Sequence, residues 1–196
     1  MNPLPFILLA ISLPLLLGGC GEKIPVNSNL KYTINGYAVM ITSCDKKASG
    51  QLLIPAIIEG KPVTSIGEYA FSRCSGLTSI MIPDSVIIIG KGAFSECSKL
   101  TSITIPDSVT SIEDRAFEHC GLTNITFGEN SLLISIGRSA FYECTNLTAM
   151  TFLGDAPRLG NDAFKYSSSI IYRKPEAKGW GDTWAGRPVK LISEKR

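Results

Sequence analysis

Few residues in this chain could do chemistry. Six cysteines and a single histidine stand among 196 residues. Four of the cysteines, Cys74, Cys97, Cys120 and Cys144, recur at intervals of 23, 23 and 24 residues, so each falls at the same point of a repeating unit. There is no Cys-x-x-Cys pair, and His119 beside Cys120 forms no ligand cluster, so neither a metal site nor a redox dithiol motif is read. Nucleophilic catalysis needs a nucleophile with a base, and glycoside hydrolysis needs two convergent carboxylates. His119 is the only imidazole. It occupies a slot filled elsewhere by Arg73, Glu96, Glu143 and Tyr166, which marks it as a solvated turn residue. Acid pairs such as Glu113-Asp114 also fall at variable turn positions. No catalytic residue, metal ligand or cofactor motif is assigned, and a non-enzymatic protein is expected.

The recurring thiols have a simpler reading. Adjacent strands run about 4.8 Å apart, but equivalent side chains on parallel strands point the same way, which keeps their Cβ atoms wide of the roughly 3.8 Å that a disulfide prefers. The four repeat cysteines are therefore expected as buried thiols packed as small hydrophobes.

What must position these residues is a repeat. One phrase occurs five times, beginning at Ile66, Ile89, Ile112, Ile136 and Leu159, at intervals of 23, 23, 24 and 23 residues; its first copy reads Ile66-Gly-Glu-Tyr-Ala-Phe71. A fixed period in the twenties is the signature of a solenoid whose coils stack to bury a continuous core. Four copies continue to a cysteine and then to a strand phrase: Leu77-Thr-Ser-Ile-Met-Ile82, Leu100-Thr-Ser-Ile-Thr-Ile105, Leu122-Thr-Asn-Ile-Thr-Phe127 and Leu147-Thr-Ala-Met-Thr-Phe152. Three apolar side chains of each point inward and the intervening ones face solvent. Pro83-Asp84-Ser85 and Pro106-Asp107-Ser108 then turn the chain, because proline presets φ and Asp or Ser can bond the local backbone. A second short strand follows, then the glycine and a single helical turn through Ala-Phe. The expected class is an α/β repeat solenoid: a leucine-rich-repeat right-handed coil of short parallel strands and single helical turns, strand-rich with little helix, with about five coils over residues 63–165. One coil cannot fold alone, since its apolar face needs neighbours.

The outward positions align as Thr78, Thr101, Thr123 and Thr148 in one row, then Ser79, Ser102, Asn124 and Ala149, then Met81, Thr104, Thr126 and Thr151. Threonine suits a half-exposed strand in any case. The same uncharged, hydroxyl-rich sheet is nonetheless the candidate binding face, through Thr78, Thr101, Thr104, Thr123, Thr126, Thr148 and Thr151. On the second sheet, Ile87, Ile88 and Ile134 stand where neighbouring coils carry Thr or Ser, a small apolar patch if exposed.

The array has caps. In the N-terminal capping segment, 31–62, Asn35-Gly36 between two apolar alternations predicts a β-hairpin. In the C-terminal cap, 166–196, a Gly, Trp and Pro-bearing stretch lacks strand alternation. Residues 165–196 hold eight Lys or Arg against three acids, net +5, leaving −3 for the rest of a chain of total charge +2. That total gives no case for nucleic acid, whose binders concentrate basic charge on one face.

Ahead of the caps, residues 6–17 form an uncharged apolar run of about twelve residues, too short for a membrane span and suited to a signal peptide. The run ends in Leu17-Gly18-Gly19-Cys20, which resembles the lipobox of bacterial lipoproteins; the start lacks Lys or Arg, and Pro14 interrupts the run. The resemblance implies a lipoprotein signal peptide over 1–19, lipidation of Cys20 and a tether over 20–30, so that the lipid on Cys20 holds the chain to a membrane. Gly21 is not the aspartate of inner-membrane retention.

The full unit, Ile-Gly-x-x-Ala-Phe-x-x-Cys-x-x-Leu-x-x-Ile-x-Ile-Pro-x-Ser-Val, resembles the BspA-type leucine-rich-repeat family of bacterial surface proteins over residues 31–192. That resemblance implies a surface or secreted protein engaged in adhesion or partner recognition; taken with the lipobox at Cys20, the expectation is a lipid-anchored cell-envelope protein, on the outer membrane or cell surface, that serves as an adhesion scaffold for protein or glycan partners. The alternative is a structural envelope component without a diffusible ligand, attached to anionic polymer by its basic C-terminal end. A fold of this kind specifies architecture strongly and ligand hardly at all.

Overall fold

The structure is a computed structural model that describes residues 28–194. The expected signal peptide and Cys20 lie outside the described residues.

Sixteen short strands follow in order: β1 (Leu30–Asn35), β2 (Ala38–Cys44), β3 (Ser49–Leu53), β4 (Ile57–Ile58), β5 (Lys61–Ile66), β6 (Gly76–Met81), β7 (Ile88–Ile89) and β8 (Ser102–Thr104). Then come β9 (Ser111–Ile112), β10 (Asn124–Phe127), β11 (Ser135–Ile136), β12 (Ala149–Phe152), β13 (Arg158–Leu159), β14 (Ile170–Arg173), β15 (Thr183–Trp184) and β16 (Arg187–Leu191). They build a strand-rich β-solenoid. One sheet runs β1-β2-β5-β7-β9-β11-β13, with β4 joined to β5; a second runs β3-β6-β8; a third runs β10-β12-β14-β16-β15. Strands of successive coils pair in parallel, Ser65 beside Ile88 beside Ser111 beside Ser135 beside Arg158.

The expectation of about five coils rises to about six turns. Antiparallel β1 and β2 join through Gly36 and Tyr37, with positive φ at Gly36 alone (59°), so the turn uses Gly at its first central position rather than an Asn-Gly pair. Beyond that hairpin the segment behaves as part of the solenoid: β2 pairs in parallel with β5, and β3 with β6.

The α/β label needs correction. No α-helix occurs among the described residues; one turn of 3-10 helix, Ile192–Glu194, is the sole helical element there. The Ala-Phe turns fail to become helical for a visible reason. In each, two residues four apart adopt left-handed φ: Tyr69 and Arg73, Gly92 and Glu96, Arg115 and His119, Ser139 and Glu143, Asp162 and Tyr166, all between 52° and 62°. Non-glycine residues pay for that conformation, and only a strong external constraint holds them in it. In the first four of these coils the constraint is the next coil. Alternate amides leave their own turn and donate across the stack: Tyr69 to Lys91, Phe71 to Ala93 and Arg73 to Ser95, at 2.9, 2.7 and 2.8 Å. The amides between them, of Ala70, Ser72 and Cys74, bond within the turn to the carbonyls of Gly67, Tyr69 and Phe71. The same alternation recurs in the coils that follow.

Between these layers lies a one-dimensional core. Phe71, Phe94, Phe117, Phe141 and Phe164 are buried and stack face to face, with successive ring centroids 5.0, 5.2, 5.2 and 5.4 Å apart. Beside them, Cys97, Cys120 and Cys144 donate their thiols to the carbonyls of Phe71, Phe94 and Phe117, one coil back, at 3.1, 2.9 and 2.9 Å. Repetition of the cysteine thus has a structural cause: a small apolar side chain whose thiol adds a second donor to a buried carbonyl that already accepts the cysteine amide of its own turn. All five described cysteines are free thiols and buried.

Candidate functional site

The threonine face is present but not uniform. Thr78, Thr101, Thr104, Thr123, Thr126 and Thr148 are exposed, whereas Thr151 is buried at 6% exposure. Its expected place on an open face is corrected by the register, which sets it between Thr126 and the bulky Tyr172. Ala149 is shaded in the same way between Asn124 and Ile170. One row is also partly committed to holding the coils together: Thr101, Thr123 and Thr148 donate their hydroxyls to the carbonyls of Thr78, Thr101 and Thr123 at 3.4, 3.4 and 3.2 Å. Thr104 and Thr126 make no such bond and point outward from the strands that flank a gap.

That gap is a break in the sheet. β8 pairs with β6, and β10 pairs with β12, but β8 and β10 belong to different sheets. The cause sits in the turn before β10. Other coils place two residues between cysteine and leucine, as in Cys97-Ser-Lys-Leu100; this one has Cys120-Gly121-Leu122. The shortened turn runs so close to its neighbour that a Cβ on Gly121 would lie 2.2 Å from the Ser98 carbonyl oxygen, so only glycine fits. The remaining cross-coil bonds at this point are long, Gly121 to Cys97 at 3.3 Å and Thr123 to Thr101 at 3.4 Å. On leaving the strand, this coil replaces the Pro-Asp-Ser turn with a longer passage through Gly128, over which the Asp107 carboxylate lies, 2.0 Å from where a Cβ would stand.

The break opens a depression of about 610 Å³ on the threonine face, lined by Asp84, Thr104, Asp107, Asn124, Thr126 and Gly128 among others. It combines two carboxylates, a carboxamide and two hydroxyls, and no Lys or Arg lines it. Such a set accepts hydrogen bonds from hydroxyl, amide or amine donors. The sequence analysis set Thr104, Asn124 and Thr126 on the outward face but missed the depression, whose signal was the missing residue between Cys120 and Leu122.

The other candidates are placed as follows. His119 is a surface turn residue with φ 57°; its Nδ1 lies 3.2 Å from a Glu143 carboxylate oxygen, and its ring meets Tyr142 edge-on. Both partners are well exposed, so the pair is a weak surface contact. Among the described residues no group of three His, Cys, Asp or Glu is placed to hold a metal ion. Ile87, Ile88 and Ile134 are exposed, at 45, 39 and 59%, and Leu132 joins them at 60%.

The fold and the stacked Phe and Cys ladders define a leucine-rich-repeat solenoid. A match to the BspA type Leucine rich repeat region covers residues 64–175 in six copies, and the chain belongs to that family. Among solved structures it is similar to the leucine-rich-repeat protein TpLRR of T. pallidum, with 27% identity over 77% of this chain and 71% of that one, at a TM-score of 0.67. A leucine-rich-repeat protein of Bacteroides capillosus shares 24% identity over 74% of this chain and 94% of its own, at 0.51. The pneumococcal vaccine antigen PcpA shares 22% identity over 78% of this chain and half (50%) of its own, at 0.55. No curated protein matches the chain.

Proposed function

We propose that the protein is a non-enzymatic binding scaffold of the bacterial cell envelope, anchored through a lipid on Cys20, which receives a protein or glycan partner on its threonine face at the break between β8 and β10. The observation that carries this reading is the depression itself. Interruption of an otherwise regular array leaves a polar concavity whose hydroxyls at Thr104 and Thr126 are not spent on the neighbouring coil. A repeat scaffold needs such an irregularity to distinguish one partner from another, because its regular faces repeat the same chemistry every coil.

The alternative, an envelope component held to anionic polymer by its basic end, draws less support. Arg173 donates to the carbonyls of Lys174 and Pro175, Arg187 to that of Phe164, and Lys174 pairs with Glu129 at 2.7 Å, so three of the eight basic groups are already engaged within the protein.

The test is a binding screen of the purified chain on arrays of surface glycans and envelope proteins, repeated with Thr104→Arg and with Thr64→Arg, which lies on the other sheet. Loss of binding with the first and retention with the second supports the reading. Binding that survives Thr104→Arg and Thr126→Arg together removes this face. Mass spectrometry of the mature N-terminus checks the anchor, which an unacylated Cys20 would sink.

A further inference from the structure

The cysteine ladder has an irregular first rung. Cys97, Cys120 and Cys144 each have a phenylalanine carbonyl one coil back as acceptor. The turn behind Cys74 carries no such phenylalanine, and the Cys74 thiol faces the carbonyl of Asp45 at 3.8 Å. The same carbonyl is faced by the thiol of Cys44, at 3.6 Å, which the sequence spacing did not place in the ladder. Two sulfurs thus converge on one oxygen, at distances longer than those of the other rungs. The proximity of the two thiols holds the Cys74 pKa below the ordinary cysteine range and, with burial, pushes that of Cys44 above it.

We propose that Cys44 and Cys74 are an oxidisable pair that closes to a disulfide, stapling the N-terminal hairpin to the first repeat coil, while the other three cysteines remain thiols. Three observations favour this pair over its neighbours. Asp45 loses nothing by the change, since its carbonyl already accepts from the Ala48 amide at 3.0 Å. The pair lies beneath the exposed turn of Asp45, Lys46 and Lys47, through which an oxidant would have to enter, whereas Cys97 and Cys120 are enclosed by repeat coils on both sides. Lys46 supplies a cation that favours thiolate at both sulfurs, and it outweighs the opposing carboxylate of Asp45.

The oxidant is a small disulfide such as oxidised glutathione, or the active-site disulfide of a thiol oxidoreductase. The Cys74 thiolate attacks one of its sulfurs, forming a mixed disulfide and releasing one thiolate. Cys44 gives up its proton to that thiolate and attacks the Cys74 sulfur, and the second thiol leaves. Two electrons and two protons pass from the protein to the reagent, which departs as two thiols. The consequence falls on the end of the solenoid, where fraying begins.

The experiment uses the full-length chain in detergent, reduced and then equilibrated with oxidised glutathione, with peptide mass mapping after alkylation. The expected product is a Cys44–Cys74 linked peptide in wild type and in Cys97→Ala, absent in Cys44→Ala, with Cys97, Cys120 and Cys144 alkylated only after unfolding. Amides of β1 and β2 should exchange at least roughly tenfold more slowly in the oxidised chain than in the reduced one. Free thiols at both positions after equilibration, a stable glutathione adduct at Cys74, or linkage of Cys74 to Cys97 overturns the pairing. Unchanged exchange in β1 and β2 overturns the staple.

Discussion

The Arg187 guanidinium donates from Nη2 to the backbone carbonyl of Phe164 at 2.6 Å. Three coils earlier in the stack, at Phe71, Phe94 and Phe117, the matching carbonyl receives a cysteine thiol from the coil that follows. Phe164 has no following coil, and the C-terminal segment brings an arginine to do what the cysteine would have done. Trp184 completes the closure, its ring 5.5 Å from that of Phe164 and 5.2 Å from that of Phe152. Arg187→Ala should therefore loosen the last coil. The Phe164 carbonyl keeps its bond from the Ser167 amide, so the loss is that of one charged hydrogen bond, about 1.5–3 kcal/mol. Chemical denaturation measures it, and a variant as stable as wild type would remove Arg187 from the closure.

Phe117 stands in the middle of the ring stack, 5.2 Å from Phe94 on one side and from Phe141 on the other. Phe117→Ala opens a cavity that neither neighbour can fill without giving up its own stacking and backbone position. The expected loss is about 3–5 kcal/mol in urea unfolding. A loss under about 1 kcal/mol would mean that the stack is not where the solenoid draws its cohesion.

The repeat was legible because a 23–24-residue period survives every local substitution, and the strand phrases fix which side chains face inward. The helical turn was misread because the left-handed φ at positions such as Tyr69 and Arg73 depends on acceptors in another coil, at Lys91 and Ser95, which no local pattern displays. Cys44 was missed as a rung because it lies outside the repeat phrase and reaches its place through the hairpin. At Thr151 the row was right and the exposure wrong, since burial there depends on Tyr172 of a strand that does not repeat.

Burial gives the thiol ladder a pH signature. It pushes Cys144 up to about 12, and Cys120 well above the ordinary cysteine value near 8.5. Below about pH 8.5 both thiols are protonated whether the chain is folded or not, and their contribution is fully present. Between about 8.5 and 12 the unfolded chain has released the Cys144 proton and the folded chain has not, so stability falls with rising pH. The slope is about 1.4 kcal/mol per pH unit for each such thiol. Urea midpoints at pH 8, 9 and 10 measure it, and Cys144→Ala should flatten the slope by one proton's worth. Equal slopes in the two proteins would count against a buried thiol at that position.

The sheet break makes the sharpest demand on the structure, because its cause is one missing residue. Inserting a serine between Gly121 and Leu122 restores the two-residue spacing of Cys74-Ser-Gly-Leu77 and of Cys97-Ser-Lys-Leu100. The longer turn should let β10 drop into register beside β8, so that Asn124, Ile125 and Thr126 ladder with Ser102, Ile103 and Thr104. Each restored backbone bond contributes about 0.5–1.5 kcal/mol, so the insertion should stabilise a chain that most insertions would harm. Amides of Asn124–Phe127 should then exchange more slowly, and the depression between Asp84, Asp107 and Asn124 should close. The two effects pull apart the roles of this site: if the break serves binding, the variant gains stability and loses its partner. Exchange no slower than in wild type would show that the missing residue is not what parts the sheets, and the longer passage from Gly128 to Leu133 would then be the place to cut.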